Sequence, residues 1–89
     1  MRSVRRRDWH PYFSRLPAEI PKVAEERYEM WLRDPAAKSL RFKRMHYREK
    51  GRACYELAIT SKVRAVCFMD EDTYVWYWIG AHNAFDRRF

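Results

Sequence analysis

The apolar residues of this chain change period once, and that change limits the folds open to it. Between Pro17 and about Arg33, Ile20, Val23, Ala24, Tyr28 and Trp31 recur at spacings of three and four. Such spacing builds one apolar stripe along a helix. From Arg52 the period is two. Tyr55, Leu57 and Ile59 alternate with Glu56, Ala58 and Thr60, the pattern of a strand with one buried face. Helices first and an antiparallel meander second make an α+β fold, with N-terminal helices packed on a small antiparallel sheet.

Local signals fill in the rest. Pro17 suits a helix start and Pro35 stops it, while Pro21 must lie in the first turn or mark where the regular helix begins. Residues 9–16 read as a short helix or turn, and 3–7 as an edge strand. Thr60-Ser61-Lys62 is a turn, Val63 to Met69 a strand, and Asp70-Glu71-Asp72 a turn whose like charges need solvent. Tyr74 to Ile79 is the most β-prone run, hence a central strand whose aromatics belong to the core rather than to a base-stacking platform. Phe42 to Met45 is a further strand, loosely paired. With only two glycines in the chain, Gly80 marks a backbone requirement.

Eighty-nine residues suffice for a single domain, 1–89, and 47% hydrophobic content can supply its core. The net charge of +7 favours a polyanionic partner: nucleic acid, an anionic membrane surface or an acidic protein. A merely basic soluble protein is the plain alternative. The charge is unevenly placed: residues 38–52 hold seven cations against Glu49 alone, whereas 17–35 are mildly acidic. Two faces with different partners would follow. Cys54 and Cys67 sit in apolar runs without a CxxC pair or a Cys/His cluster, so neither a zinc site nor any other metal or cofactor is expected. Buried free thiols suit a reducing compartment. There is no transmembrane run, and the basic start lacks the apolar stretch of a signal peptide. The expected location is therefore cytoplasmic, with no membrane partner.

The order of motifs resembles a known family. A helical half ends in Arg33-Asp34-Pro35, then come Leu40, Phe42 and Lys43, a CYELAI strand, a strand opening Val63-Arg64, an acidic turn, and a strand ending Ile79-Gly80-Ala81-His82. This is similar to the RelE/ParE toxin superfamily of type II toxin–antitoxin systems, in the branch whose last strand runs into WIGSH and an EYD-like element, here WIGAHNAFD. The resemblance spans about residues 8 to 89 and is most specific from Trp78 to Asp86. It implies a compact sheet flanked by N-terminal helices, a cognate antitoxin that covers the toxin and, for the RelE-like branch, metal-free cleavage of mRNA in the ribosomal decoding site.

Such cleavage needs the 2′-hydroxyl to attack the neighbouring phosphate, with help in moving protons and in stabilising phosphoryl charge. His is the natural acid/base and Arg the natural phosphate clamp. The resemblance assigns His82, just past Gly80, to the scissile phosphate, and Arg64 to a matching strand position. A polar loop residue and a solvated strand charge are the plain alternatives. Lys43, Arg44, His46, Arg48 and Arg52 are candidates for an RNA path, joined by Lys62 and Arg87, with Tyr47 as a stacking surface. Asp86, four residues beyond His82, either orients it or starts a helix.

Two departures from the family matter. Phe85 stands where relatives often carry Tyr, and Glu56, Ala58 and Thr60 occupy a strand on which RelE places lysines. Three readings stay open: a ribosome-dependent endoribonuclease, a ParE-like inhibitor of DNA gyrase, and a non-catalytic module that binds nucleic acid or antitoxin.

Overall fold

The computed structural model describes residues 2–89. It is an α+β fold of a five-stranded mixed sheet, three α-helices and one 3-10 turn. Strand β1 (Arg2–Arg5) leads into α1 (Trp9–Ser14) and α2 (Ile20–Arg33), then a 3-10 turn (Lys38–Leu40). Strands β2 (Lys43–Glu49), β3 (Arg52–Thr60), β4 (Val63–Asp70) and β5 (Thr73–Ala81) form the meander, and α3 (His82–Arg88) closes it. The strand order is β1-β5-β4-β3-β2.

The meander is antiparallel as expected, but the sheet as a whole is not. β1 pairs with β5 in parallel, from Arg2 opposite Thr73 to Arg5 opposite Trp76. The chain leaves β1 through the helices and re-enters the sheet at its far edge, so its first and last strands become neighbours. Ser3 pins this edge: its hydroxyl accepts from Trp76 Nε1 at 3.0 Å and shares a hydrogen bond with the Tyr28 hydroxyl at 2.6 Å.

Regular helix begins at Ile20, not Pro17, which places Pro21 in the first turn where its missing N–H costs nothing. The Pro17 carbonyl instead accepts from Ile20 N–H at 3.0 Å. The α2 stripe packs as read: Ala24 and Trp31 are buried, with Ile20, Val23 and Tyr28 against the same core. Trp31 is fully buried, its ring edge-on to Tyr74, Trp76 and Phe42.

Nor are all helices N-terminal. α3 lies on the sheet face opposite α1 and α2, so β3 to β5 are covered on both sides. Tyr55, Leu57 and Ile59 meet the α2 face, while Cys54, Val66, Phe68, Tyr77 and Trp78 form a second cluster with Phe85 of α3 and Phe89 just past its end. The register between β4 and β5 slips between Val66 and Cys67, so Tyr77 is an extra residue. That bulge turns both Tyr77 and Trp78 toward α3, against the usual alternation. The β2–β3 turn is Lys50-Gly51, both at positive φ (50° and 83°), as a tight hairpin requires.

Gly80 is needed for room, not for an unusual φ. A Cβ there would stand 2.8 Å from Trp78 Cζ2.

Candidate functional site

α3 starts where β5 ends in extended backbone at Ala81. The His82 N–H donates to the Lys62 carbonyl at 2.7 Å, which ties the first turn of α3 to the β3–β4 turn. The His82 ring lies parallel to Phe85. Its Nδ1 stands 3.7 Å from Asp86 Oδ2, too far for a hydrogen bond but close enough to attract a protonated ring. Asp86 sits inside the helix rather than at its start, and no hydrogen bond joins it to His82.

Beside this stack runs an open groove of about 390 Å³. Phe85 of α3 and Phe89 just past its end form one side, and Lys43, Arg44 and His46 of β2 contribute to the other. The groove has one carboxylate, Glu56, whose side chain is only 15% exposed and lies 3.7 Å from Lys43 Nζ. β2 is an edge strand, and its register shifts between Arg44 and Arg48. Met45 and Tyr47 turn inward to the second cluster, while Lys43, Arg44, His46 and Arg48 stay exposed. Tyr47 packs edge-on against Phe89 at 4.9 Å. Its hydroxyl, donating to Glu49, is raised above the usual phenol range by that hydrogen bond.

Arg64 shares the sheet face of Val66 and Phe68, as strand alternation implies. It stands opposite Ala58 on one side and Gly80 on the other. Its guanidinium crosses small Ala58 and donates to the Thr60 carbonyl at 2.6 Å, in a groove separate from that of His82. Ser61 lines both grooves, so Arg64 and His82 flank one turn. Lys62 lines the hollow next to His82, and Arg87 is exposed on α3. Arg52 lies apart: it stacks over Phe68 at 5.3 Å and faces Asp70 at 3.7 Å.

Sequence reasoning passed over Glu56, Phe89, Arg6 and Arg88. Glu56 was signalled by being the lone acid on a strand face between Cys54 and Ala58. Arg6 and Arg88 both lie over Tyr77, at 5.3 and 6.0 Å, and Arg88 donates to the Tyr12 hydroxyl at 2.7 Å. Beneath them burial pushes the Tyr77 hydroxyl upward, and on the opposite sheet face it does the same to the Cys67 thiol, so neither is a proton donor or nucleophile at neutral pH. Both cysteines are buried and unpaired. Among the described residues, no three His, Cys, Asp or Glu side chains gather as a metal cluster. No helix there is long and apolar enough to cross a membrane.

No family model matches the chain, and no curated protein does. Among solved structures, the chain is similar to a toxin from Helicobacter pylori, solved as a copper-bound mutant. The TM-score is 0.59 at 16% identity, over 93% of this chain and 96% of the other. The likeness is one of fold.

Proposed function

We propose that this protein is the toxin of a type II toxin–antitoxin pair, of the RelE/ParE kind, and acts as a ribosome-dependent mRNA endoribonuclease. The observation that carries the reading is one sheet face holding an imidazole, a largely buried carboxylate and a line of exposed cations. His82 stacks on Phe85, Phe85 shares its groove with Glu56, and β2 supplies Lys43, Arg44 and His46 along the same groove. The toxin fold of the Helicobacter pylori neighbour adds support.

In this reading Glu56 accepts the 2′-hydroxyl proton, and the 2′-oxygen attacks the adjacent phosphorus. Arg64 stabilises charge on the phosphoryl oxygens, and His82 donates a proton to the departing 5′-oxygen. The products carry a 2′,3′-cyclic phosphate and a 5′-hydroxyl. Phe85 has no hydroxyl to share in this chemistry; it holds the imidazole plane and offers a face to a base. Cations on β2, with Lys62 and Arg87, meet the backbone, while Arg52, held by Phe68 and Asp70, does not. The cognate antitoxin presents acidic residues to this face.

The test is expression without a partner, followed by mapping of mRNA ends on programmed ribosomes and a supercoiling assay with DNA gyrase. Growth arrest with new 5′-hydroxyl ends supports the reading. Arrest with intact mRNA and blocked supercoiling would replace it with the gyrase-inhibitor reading, and normal growth at high yield would remove both.

A further inference from the structure

β2 ends its pairing at Lys43 opposite Glu56, so β3 runs on from Ala58 to Thr60 as a bare edge. Three arginines gather there. Arg27 of α2 donates to the Ala58 carbonyl at 3.4 Å and to the Ser39 carbonyl at 2.5 Å. Arg64 reaches the Thr60 carbonyl from the other sheet face. Arg41, held in left-handed backbone (φ 49°) after the 3-10 turn, completes the set. With Ser39 and Ser61 they line an open groove of about 420 Å³ that no carboxylate enters. Neutral carbonyls position Arg27 and Arg64 without cancelling their charge. Each guanidinium keeps donors free, since it has five and uses two.

We propose that this groove binds the phosphodiester backbone of a single-stranded RNA, so that the strand continues past Arg64 along Arg27 and Arg41. The inference rests on the nuclease reading and extends it, because Arg64 belongs to both the reaction centre and the groove. An RNA backbone fits better than a protein segment. Convergent guanidiniums suit phosphate oxygens, whereas a protein anchor needs an open apolar pocket. The apolar residues here, Ala58 and Ile59, are already buried.

The experiment compares the parent with Arg41→Gly and with Arg33→Gln, an equal loss of charge on exposed α2 surface. Glycine suits φ 49°, so Arg41→Gly does not threaten the fold. A uridine-only octamer is titrated by fluorescence anisotropy over a salt series, while arginine side-chain NMR signals report the contacts. The expected result is that Arg27, Arg41 and Arg64 signals shift and saturate. Arg41→Gly should weaken binding several-fold and flatten the log–log salt slope by about 0.7, the value of one phosphate contact on a single strand. Arg33→Gln should keep the parental slope. If the octamer moves β2 signals but not the groove arginines, the groove proposal falls while the nuclease reading stands. If the parent does not bind the octamer at all, the groove proposal falls, while the nuclease reading is decided separately by the mRNA ends mapped on programmed ribosomes. A polyglutamate peptide that saturates the groove where RNA does not would overturn it in favour of a protein partner.

Discussion

The imidazole of His82 and the ring of Phe85 lie 10° from parallel with centroids 5.9 Å apart. The stack fixes the plane of the imidazole without using its nitrogens. His82→Ala should therefore cut mRNA cleavage by about 10²–10⁴-fold, the usual loss for one acid/base group. It should shift stability by only about 0.5 kcal/mol, since the side chain is 45% exposed. Arg64→Ala should also slow cleavage, through lost stabilisation of phosphoryl charge. Single-turnover rates, beside thermal melts, check both. Parental cleavage by His82→Ala would make this residue structural.

Glu56→Gln preserves shape and removes the proton acceptor. Cleavage should fall by at least about 10²-fold while RNA affinity holds or rises, because a negative charge leaves the groove. Phe85→Leu should act oppositely, weakening binding by about 1–3 kcal/mol per stacked base with less effect on the bound rate. Affinity and single-turnover rate measured side by side decide the matter. Equal losses in both quantities for Glu56→Gln would point to misfolding of the groove.

Gly80→Ala places a methyl carbon against the Trp78 ring, which is buried and boxed in by Phe85 and Phe89. The ring has no free direction in which to yield, so overpacking should cost about 1–3 kcal/mol. Near-ultraviolet circular dichroism and urea melts report this. An unchanged melt would show that Trp78 can move.

The Arg6 guanidinium, hydrogen-bonded to both carboxylate oxygens, holds Asp8 below the usual carboxylate range. A carboxylate with a depressed folded-state pKa stabilises the fold above its unfolded value near 3.9. That contribution fades as pH falls through the folded-state value. The pair is half exposed and screened, so its worth is under about 1 kcal/mol. Asp8→Asn should thus lower stability slightly at pH 7 and match the parent in strong acid. A difference that grows toward low pH would reverse the assignment.

The α2 stripe and the two later meander turns were legible because each is set by residues close in sequence, whereas the Lys50-Gly51 turn and the full length of β2 (Lys43–Glu49) were not. The Tyr77 bulge was not, since strict alternation sends Trp76 and Trp78 to the same face. What overrides it is the packing of Trp31 and Phe42 on Trp76 and of α3 on Trp78. The parallel pairing of β1 joins residues some seventy positions apart, and nothing local to Arg2–Arg5 announces it. At the site, His82 and the β2 cations stood out by residue type. Glu56 carried a sequence signal as the lone acid between Cys54 and Ala58, but its place in the site shows only once α3 covers that strand face, and α3 itself is too short for a helical period to show.

β2 has a second consequence. It ends the sheet on one side, and its outer rim carries backbone donors and acceptors that a second copy could pair with. Lys43, Arg44, His46 and Arg48, together with the irregular middle of the strand, make that rim repel its own kind. The same charges that would draw in RNA thus act as a guard against edge-to-edge aggregation. Any polyanion that neutralises them without covering the rim removes the guard, so this protein should precipitate most readily near charge balance with its ligand.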